Sequence, residues 1–288
     1  MKIALLGTGL MGRPMAERFL RCGYPVVVYN RTAKKAAPLK NLGAEIAKTP
    51  LGAIEKADCT LLMLTDAAAI RDMLFPKKSP KPSLAGRTII QMGTISPAQS
   101  IGLKKKAEQA GGTYLEAPVL GSIREAEKGE LTVMVGAEPA QFEAWLPLLC
   151  CLSREPIHVG PVGKAAALKL ALNQLIAALT VGFSFSLGII QRREIDTELF
   201  MRILRESPLY APQFDKKLSG MLRRDFAKAN FPTKHFFKDI GLMLEEGRSL
   251  GLETSALKGC HQAAKKALDQ GWVDTDYSSV YNAINPEQ

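Results

Sequence analysis

Gly7, Gly9 and Gly12 stand in GTGLMG, a G-x-G-x-x-G near the start of the chain. Glycines at that spacing can bring main-chain N–H groups against phosphate oxygens. The string alone is common, so its setting decides. Residues 2–6 are a short apolar run of the buried parallel-strand kind. Residues 14–22 then place Met15, Phe19 and Cys22 at helical spacing, and 25–30 (PVVVYN) form a second β-branched run. In a strand, turn, helix, strand unit Gly7 makes the tight turn, Gly9 admits a pyrophosphate and Gly12 lets helix and strand pack closely. The helix N-terminus adds free N–H groups and the positive end of its dipole. Gly7, Thr8, Gly9, Leu10, Met11 and Gly12 therefore read as the cradle of a dinucleotide.

The second strand ends in Asn30-Arg31-Thr32, followed by Lys34 and Lys35. An NAD-selective strand usually ends in Asp or Glu, which accepts from the ribose 2′-OH and would repel a 2′-phosphate. A neutral amide, a guanidinium and a hydroxyl suit that phosphate, Arg through a forked contact. NADP is the expected cofactor; a solvated basic turn is the plain alternative.

The elements that must position this cradle alternate along the first half. Helix is expected over 33–42, strand over 44–47, strand at 59–64 and helix over 67–75. A Pro- and Lys-rich loop follows at 76–83, then strand at 88–92, helix over 97–110 and strands at 113–117 and 131–135. A helix over 139–149 and a short strand at 156–159 complete the series. Such alternation is the signature of a doubly wound sheet. From Gly163 onward helical runs dominate, broken at Pro208, Pro212, Pro232 and Gly251. The fold class is thus α/β, an N-terminal Rossmann-type sheet domain over 1–163 followed by an all-α domain over 164–288.

With 288 residues, 47% of them hydrophobic, an ordinary globular chain of about two domains is expected. Met1 leads straight into a strand, which does not read as a signal peptide. Residues 165–190 are apolar enough to suggest a membrane span, but Lys169, Asn173 and Gln174 on the first turns make a long buried helix the better reading. Five cysteines and three scattered histidines show no metal-ligand spacing, and a reducing cytoplasm fits them. The net charge of +10 is dispersed and comes with no nucleic-acid motif, so it reads as solvated helix faces with a field favouring anionic substrates. Neither a nucleic acid nor a membrane is expected as a partner.

Four further stretches, QMGTISPAQS (91–100), EAPVLGSIREAEKGELTVMVG (116–136), GPVGKAAALKLALNQL (160–175) and FPTKHFFKDIGL (231–242), stand in order along the chain. Together with GTGLMG and YNRT they resemble the β-hydroxyacid dehydrogenases, also called the 3-hydroxyisobutyrate dehydrogenase family. Within it, Asn30-Arg31-Thr32, the K-x-x-x-N of Lys169 and Asn173 and the Lys234-His235 pair resemble the NADPH-dependent glyoxylate/succinic semialdehyde reductases. The resemblance implies an oxidoreductase that moves hydride between NADP(H) and a short aldehyde acid or β-hydroxyacid, working as a homodimer or homotetramer. It makes Lys169 the catalytic residue, with Asn173 orienting it or bonding the substrate oxygen. Elementary chemistry agrees. The two lie four apart on one face of an apolar helix, and a partly desolvated ammonium there can stabilise an alkoxide and donate its proton.

The same resemblance assigns Thr94 to the nicotinamide and substrate side, and Met63, Leu64 and Thr65 to the cofactor. It puts Gly121 and Ser122 in a loop whose backbone N–H groups bind the substrate carboxylate. Phe231 would wall the pocket with Asp239 supporting it, and Lys238 would reach the cofactor, although by themselves Lys238 and Asp239 are an ordinary charged pair. Where the family usually writes D-M-S-T this chain has Gln91-Met92-Gly93-Thr94, and for P-V-S-G it has Pro118-Val119-Leu120-Gly121. Leu120 removes a hydroxyl from the carboxylate site, worth about 1–3 kcal/mol, and puts glyoxylate, the smallest substrate, in doubt. An imine reductase would typically carry Asp or Tyr at the lysine position. A relative of 6-phosphogluconate dehydrogenase would want a longer helical domain. A 3-hydroxyisobutyrate-type dehydrogenase with another substrate and a catalytically weakened NADP-binding scaffold remain as alternatives.

Overall fold

The computed structural model describes residues 1–76 and 83–287; most of the loop read at 76–83 lies outside them. Cα packing divides the chain into two compact units, Met1–Leu170 and Ala171–Gln288.

The first unit is a sheet whose strands are β1 (Ile3–Leu6), β2 (Val26–Tyr29), β3 (Glu45–Ile46), β4 (Cys59–Leu62), β5 (Thr88–Gln91), β6 (Thr113–Glu116), β7 (Val119–Leu120), β8 (Thr132–Gly136) and β9 (Ile157–Gly160). Their order is β3-β2-β1-β4-β5-β6-β8-β7, with β9 also on β8. The pairs from β3 to β6 are parallel, and β8 runs antiparallel to both β6 and β7. Strand order reverses between β1 and β4, the place where an open α/β sheet opens a crevice beyond its carboxyl ends. Alternate residues of β1 explain why helices cover both faces. Ile3 and Leu5 pack with Met15 and Phe19, while Ala4 and Leu6 pack with Ile54, Ile70 and Leu74.

Local chemistry sets most boundaries. Helix Pro97–Gln109 opens on a Ser96/Gln99 capping box and Ala67–Leu74 on an Asp66 cap. The single helix expected over 33–42 is instead a short 3-10 turn, Ala33–Lys35, and a separate helix, Ala37–Lys40. Pro38 lacks the N–H that a continuous helix would need there. Helices Pro50–Ile54 and Ile123–Lys128 and strand β7 were not expected; at two to six residues they are too short for periodicity to reveal.

The second unit is helical: Thr197–Arg205, Pro212–Arg223, Thr233–Ser249, Ser255–Asp269 and the short Val280–Ile284 follow the long helix Lys164–Arg192. Among the described residues of this unit no strand is assigned, only an isolated bridge between Pro232 and Asp276. Phe183, Leu187, Met201, Phe214, Met221, Phe226 and Tyr281 form its core, with the Phe183 and Phe214 rings stacked at 4.5 Å. Helix Lys164–Arg192 is by length and composition apolar enough to cross a membrane. It is less enclosed than a buried core helix: Leu175, Phe185 and Ile189 are 55%, 62% and 48% exposed.

Candidate functional site

Main-chain bonds between parallel strands bring the expected cofactor segments to one edge. Gly7 N–H donates to the Tyr29 carbonyl, Met63 N–H to Leu6, Met92 N–H to Leu62 and Ala117 N–H to Gln91, all at 2.7–2.9 Å. The segments that carry Gly7–Gly12, Asn30–Thr32, Met63–Thr65, Thr94 and Gly121-Ser122 therefore all leave the carboxyl ends of the strands of this unit.

Gly7 has φ of +100°, which an L side chain resists. A Cβ on Gly12 would lie 1.8 Å from the Gly7 carbonyl oxygen, so helix Gly12–Arg21 closes on β1 only because that atom is missing. At Gly9, by contrast, nothing lies within 4 Å of the Cβ position. Helix Gly12–Arg21 has no side-chain cap and no acidic residue in its first turn, and Leu10 is 45% exposed at its entrance. Thr8 is buried, yet its Oγ1 has no hydrogen-bond partner, an arrangement that costs about 1–3 kcal/mol until an acceptor or donor arrives. Open space, a helix N-terminus without a side-chain cap and an unsatisfied hydroxyl fit the pyrophosphate of a dinucleotide.

Asn30 is used differently from the sequence expectation. Its Oδ1 accepts from Thr8 N–H at 3.0 Å and its Nδ2 donates to the Thr32 carbonyl at 3.0 Å. The carboxamide ties the glycine turn to the end of β2. Arg31, Thr32, Lys34 and Lys35 are exposed beside it.

Further along the edge, Gln91, Gly93, Thr94, Glu116, Pro118, Ala166 and Lys169 line one small pocket. Lys169 is 9% exposed there. A side chain at Gly93 would meet the Leu64 carbonyl oxygen at 2.4 Å, so the backbone here leaves room only for glycine. Gln91 donates to the Gly93 carbonyl at 2.9 Å and leaves its buried Oε1 without a partner. Glu116 was missed by sequence reasoning. Its signal is an acidic residue closing the short strand TYLE, beside Gln91 in register. Burial raises its carboxyl above the ordinary value, against the lowering effect of its hydrogen bonds to Ser100, Ala166 and Gly163.

Gly121 has φ of +129°, and Ser122 begins helix Ile123–Lys128. Ser122 N–H donates to Glu125 Oε2 at 2.8 Å, and its hydroxyl bonds the same oxygen. A substrate carboxylate at this loop would therefore exchange with the Glu125 carboxylate. Leu120, half-buried, pairs with Thr132 across β7 and β8.

In the helical unit Asp239 is buried. Its Oδ2 accepts from Asn173 Nδ2 at 3.0 Å, and Lys238 Nζ lies 2.8 Å from its Oδ1. Asp239 thus orients Asn173, a pairing that the expected support of Phe231 does not describe. With one amide N–H given to Asp239, Asn173 keeps a buried Oδ1 that has no hydrogen-bond partner. Phe231 packs on Phe236 and Tyr277 at 6.1 and 5.5 Å. Burial, then Lys238 and Lys234, push His235 below its ordinary value, and Lys234 pairs with Asp274.

Two family models match. The NAD binding domain of 6-phosphogluconate dehydrogenase covers residues 2–160, and the NAD-binding domain of NADP-dependent 3-hydroxyisobutyrate dehydrogenase covers 163–284. The chain is 30% identical to glyoxylate/succinic semialdehyde reductase 1 of Arabidopsis thaliana over 99% of its own length and 98% of the relative's. It is also 30% identical to the chloroplastic glyoxylate/succinic semialdehyde reductase 2 of that plant, over 98% of its length and 79% of the relative's. Among solved structures, a 3-hydroxyisobutyrate dehydrogenase from Salmonella typhimurium superposes with a TM-score of 0.88 at 20% identity, covering 98% and 99% of the two chains.

Proposed function

Because this chain belongs to the β-hydroxyacid dehydrogenase family, also called the 3-hydroxyisobutyrate dehydrogenase family, we propose that it reduces a short aldehyde acid with NADPH, using Lys169 as general acid. The observation that carries this reading is the buried Lys169 in one pocket with Thr94, at the same sheet edge as the glycine cradle. Reducing a carbonyl takes hydride at carbon, which a reduced nicotinamide supplies when bound, and a proton at the oxygen. Gly7–Gly12 would hold the pyrophosphate, and Met63, Leu64, Thr65 and Thr94 the remainder of the cofactor. The Lys169 ammonium stabilises the developing alkoxide and delivers the proton, and the pocket's burial strengthens that interaction by excluding water. Asn173, oriented by Asp239, accepts a hydrogen bond from the lysine or the substrate hydroxyl. Gly121 and Ser122 would take the carboxylate.

Succinic semialdehyde suits this chain better than glyoxylate. Leu120 can pack against methylenes that glyoxylate lacks, each worth about 0.8 kcal/mol if buried. NADPH turnover against a panel of aldehydes tests the proposal. Succinic semialdehyde should show the higher kcat/KM, and Leu120→Ser should move the ratio toward glyoxylate. No turnover with any aldehyde acid would leave only a nucleotide-binding scaffold.

Cofactor choice rests on Arg31 and Thr32, with Asn30 ordering the turn that presents them. NADPH should be preferred, and Arg31→Ala should weaken it by about tenfold while NADH changes little. Equal use of NADH by the parent protein would end this part of the reading. The proposal includes a homodimer or homotetramer, since Leu175, Phe185 and Ile189 leave an apolar stripe of helix Lys164–Arg192 in water. Sedimentation at micromolar concentration should show an oligomer; a monomer alone would argue against it.

A further inference from the structure

Glu116 ends β6 with a side chain 1% exposed. Its Oε1 accepts from Gly163 N–H at 2.8 Å and from Ala166 N–H at 3.0 Å. Its Oε2 accepts from Ser100 Oγ, which meets Tyr114 OH at 2.9 Å. Gly163 and Ala166 belong to the entry and first turn of helix Lys164–Arg192, whose N–H groups have no intrahelical acceptor. The carboxylate therefore fills the place of a cap, at the positive end of the helix. Lys169 follows Ala166 by three residues, on the same face and one turn on, and shares its pocket with Glu116. The sheet makes room for this reach. Gly136 stands opposite Glu116 on β8, and a Cβ there would lie 2.5 Å from Glu116 Oε1.

We propose that Glu116 is a positioning residue, which fixes the first turn of the helix carrying Lys169 and so sets where the lysine sits in its pocket. The proposal rests on the reading of Lys169 as the acid. What the position supplies is acceptors in fixed places, which a neutral amide can offer as well as a carboxylate. Glutamine offers the same geometry. Its carbonyl can accept both amides, and its NH2 can donate to Ser100 Oγ, whose hydrogen then turns to Tyr114.

A double-mutant cycle on the full chain tests this, with kcat for succinic semialdehyde and the NADPH dissociation constant measured for each variant. Glu116→Ala should lower kcat about tenfold or more in the parent and hardly at all in Lys169→Ala. Glu116→Gln should stay within about threefold of the parent, and NADPH binding within about twofold throughout. Should Glu116→Ala yield no soluble protein, Glu116→Asp, one methylene short of the helix, replaces it in the cycle. An equal loss in both backgrounds, or a Glu116→Gln as slow as the alanine variant, overturns the proposal. A parent-like rate in Lys169→Ala overturns the acid assignment instead, whatever Glu116→Ala does.

Discussion

Lys169→Ala is expected to lower kcat by a factor of about 10²–10⁴, the range that a positioned general acid contributes, while NADPH binding stays within about twofold. The asymmetry follows from where the ammonium acts. Its proposed partner is the oxygen that acquires charge as hydride arrives, so the interaction would belong to the transition state and not to the bound cofactor. Steady-state turnover with succinic semialdehyde, set beside an NADPH fluorescence titration of the same preparation, checks both halves. Turnover at the parent rate would remove Lys169 from the mechanism. A large loss of NADPH affinity would reassign it to cofactor binding.

Gly12→Ala should be nearly as damaging, for a purely steric reason. Its Cβ would fall 1.8 Å from the Gly7 carbonyl oxygen and 3.3 Å from Leu5 Cδ2. The first of these is main chain of the turn that follows β1, tied down by the Gly7 N–H bond to the Tyr29 carbonyl. Overpacking of this kind costs about 1–3 kcal/mol or more, and at about 2–4 °C per kcal/mol the melting temperature should fall by several degrees. Because the displaced group is the cradle itself, NADPH affinity should fall by about 100-fold or more as well. Gly9→Ala is the control. Nothing lies within 4 Å of its Cβ position, so stability should hold while the methyl intrudes on the space kept for phosphate. Equal melting temperatures for Gly12→Ala and the parent would contradict the packing described for helix Gly12–Arg21.

Much of the fold was legible because it is written in local patterns. The apolar runs of β1, β2, β4 and β5, the glycine turn between β1 and its helix, and the alternation through the first half each declare themselves within a dozen residues. The long helix carrying Lys169 and Asn173 did so too, from composition alone. The failures were also local in cause. Pro38 interrupted a helical pattern, and elements as short as Val119–Leu120 carry too few residues for a period.

The site divides along the same line. Sequence by itself determined which residue types were on hand: the three glycines, a basic end to β2, and a lysine and asparagine four apart on one helix. It could not show what each polar group would be paired with, because most of those partners lie far away along the chain. Asn30 is spent on Thr8 and Thr32. Asn173 is held by Asp239, 66 residues on. Glu116, passed over as the first letter of EAPV, reaches backbone amides 47 and 50 residues later, through a gap that Gly136 leaves open. Whether a buried polar group is free to act depends on what already satisfies it, and burial makes that satisfaction obligatory. That choice of partners is made when the strands register and the helices dock. Only the tertiary structure decided it.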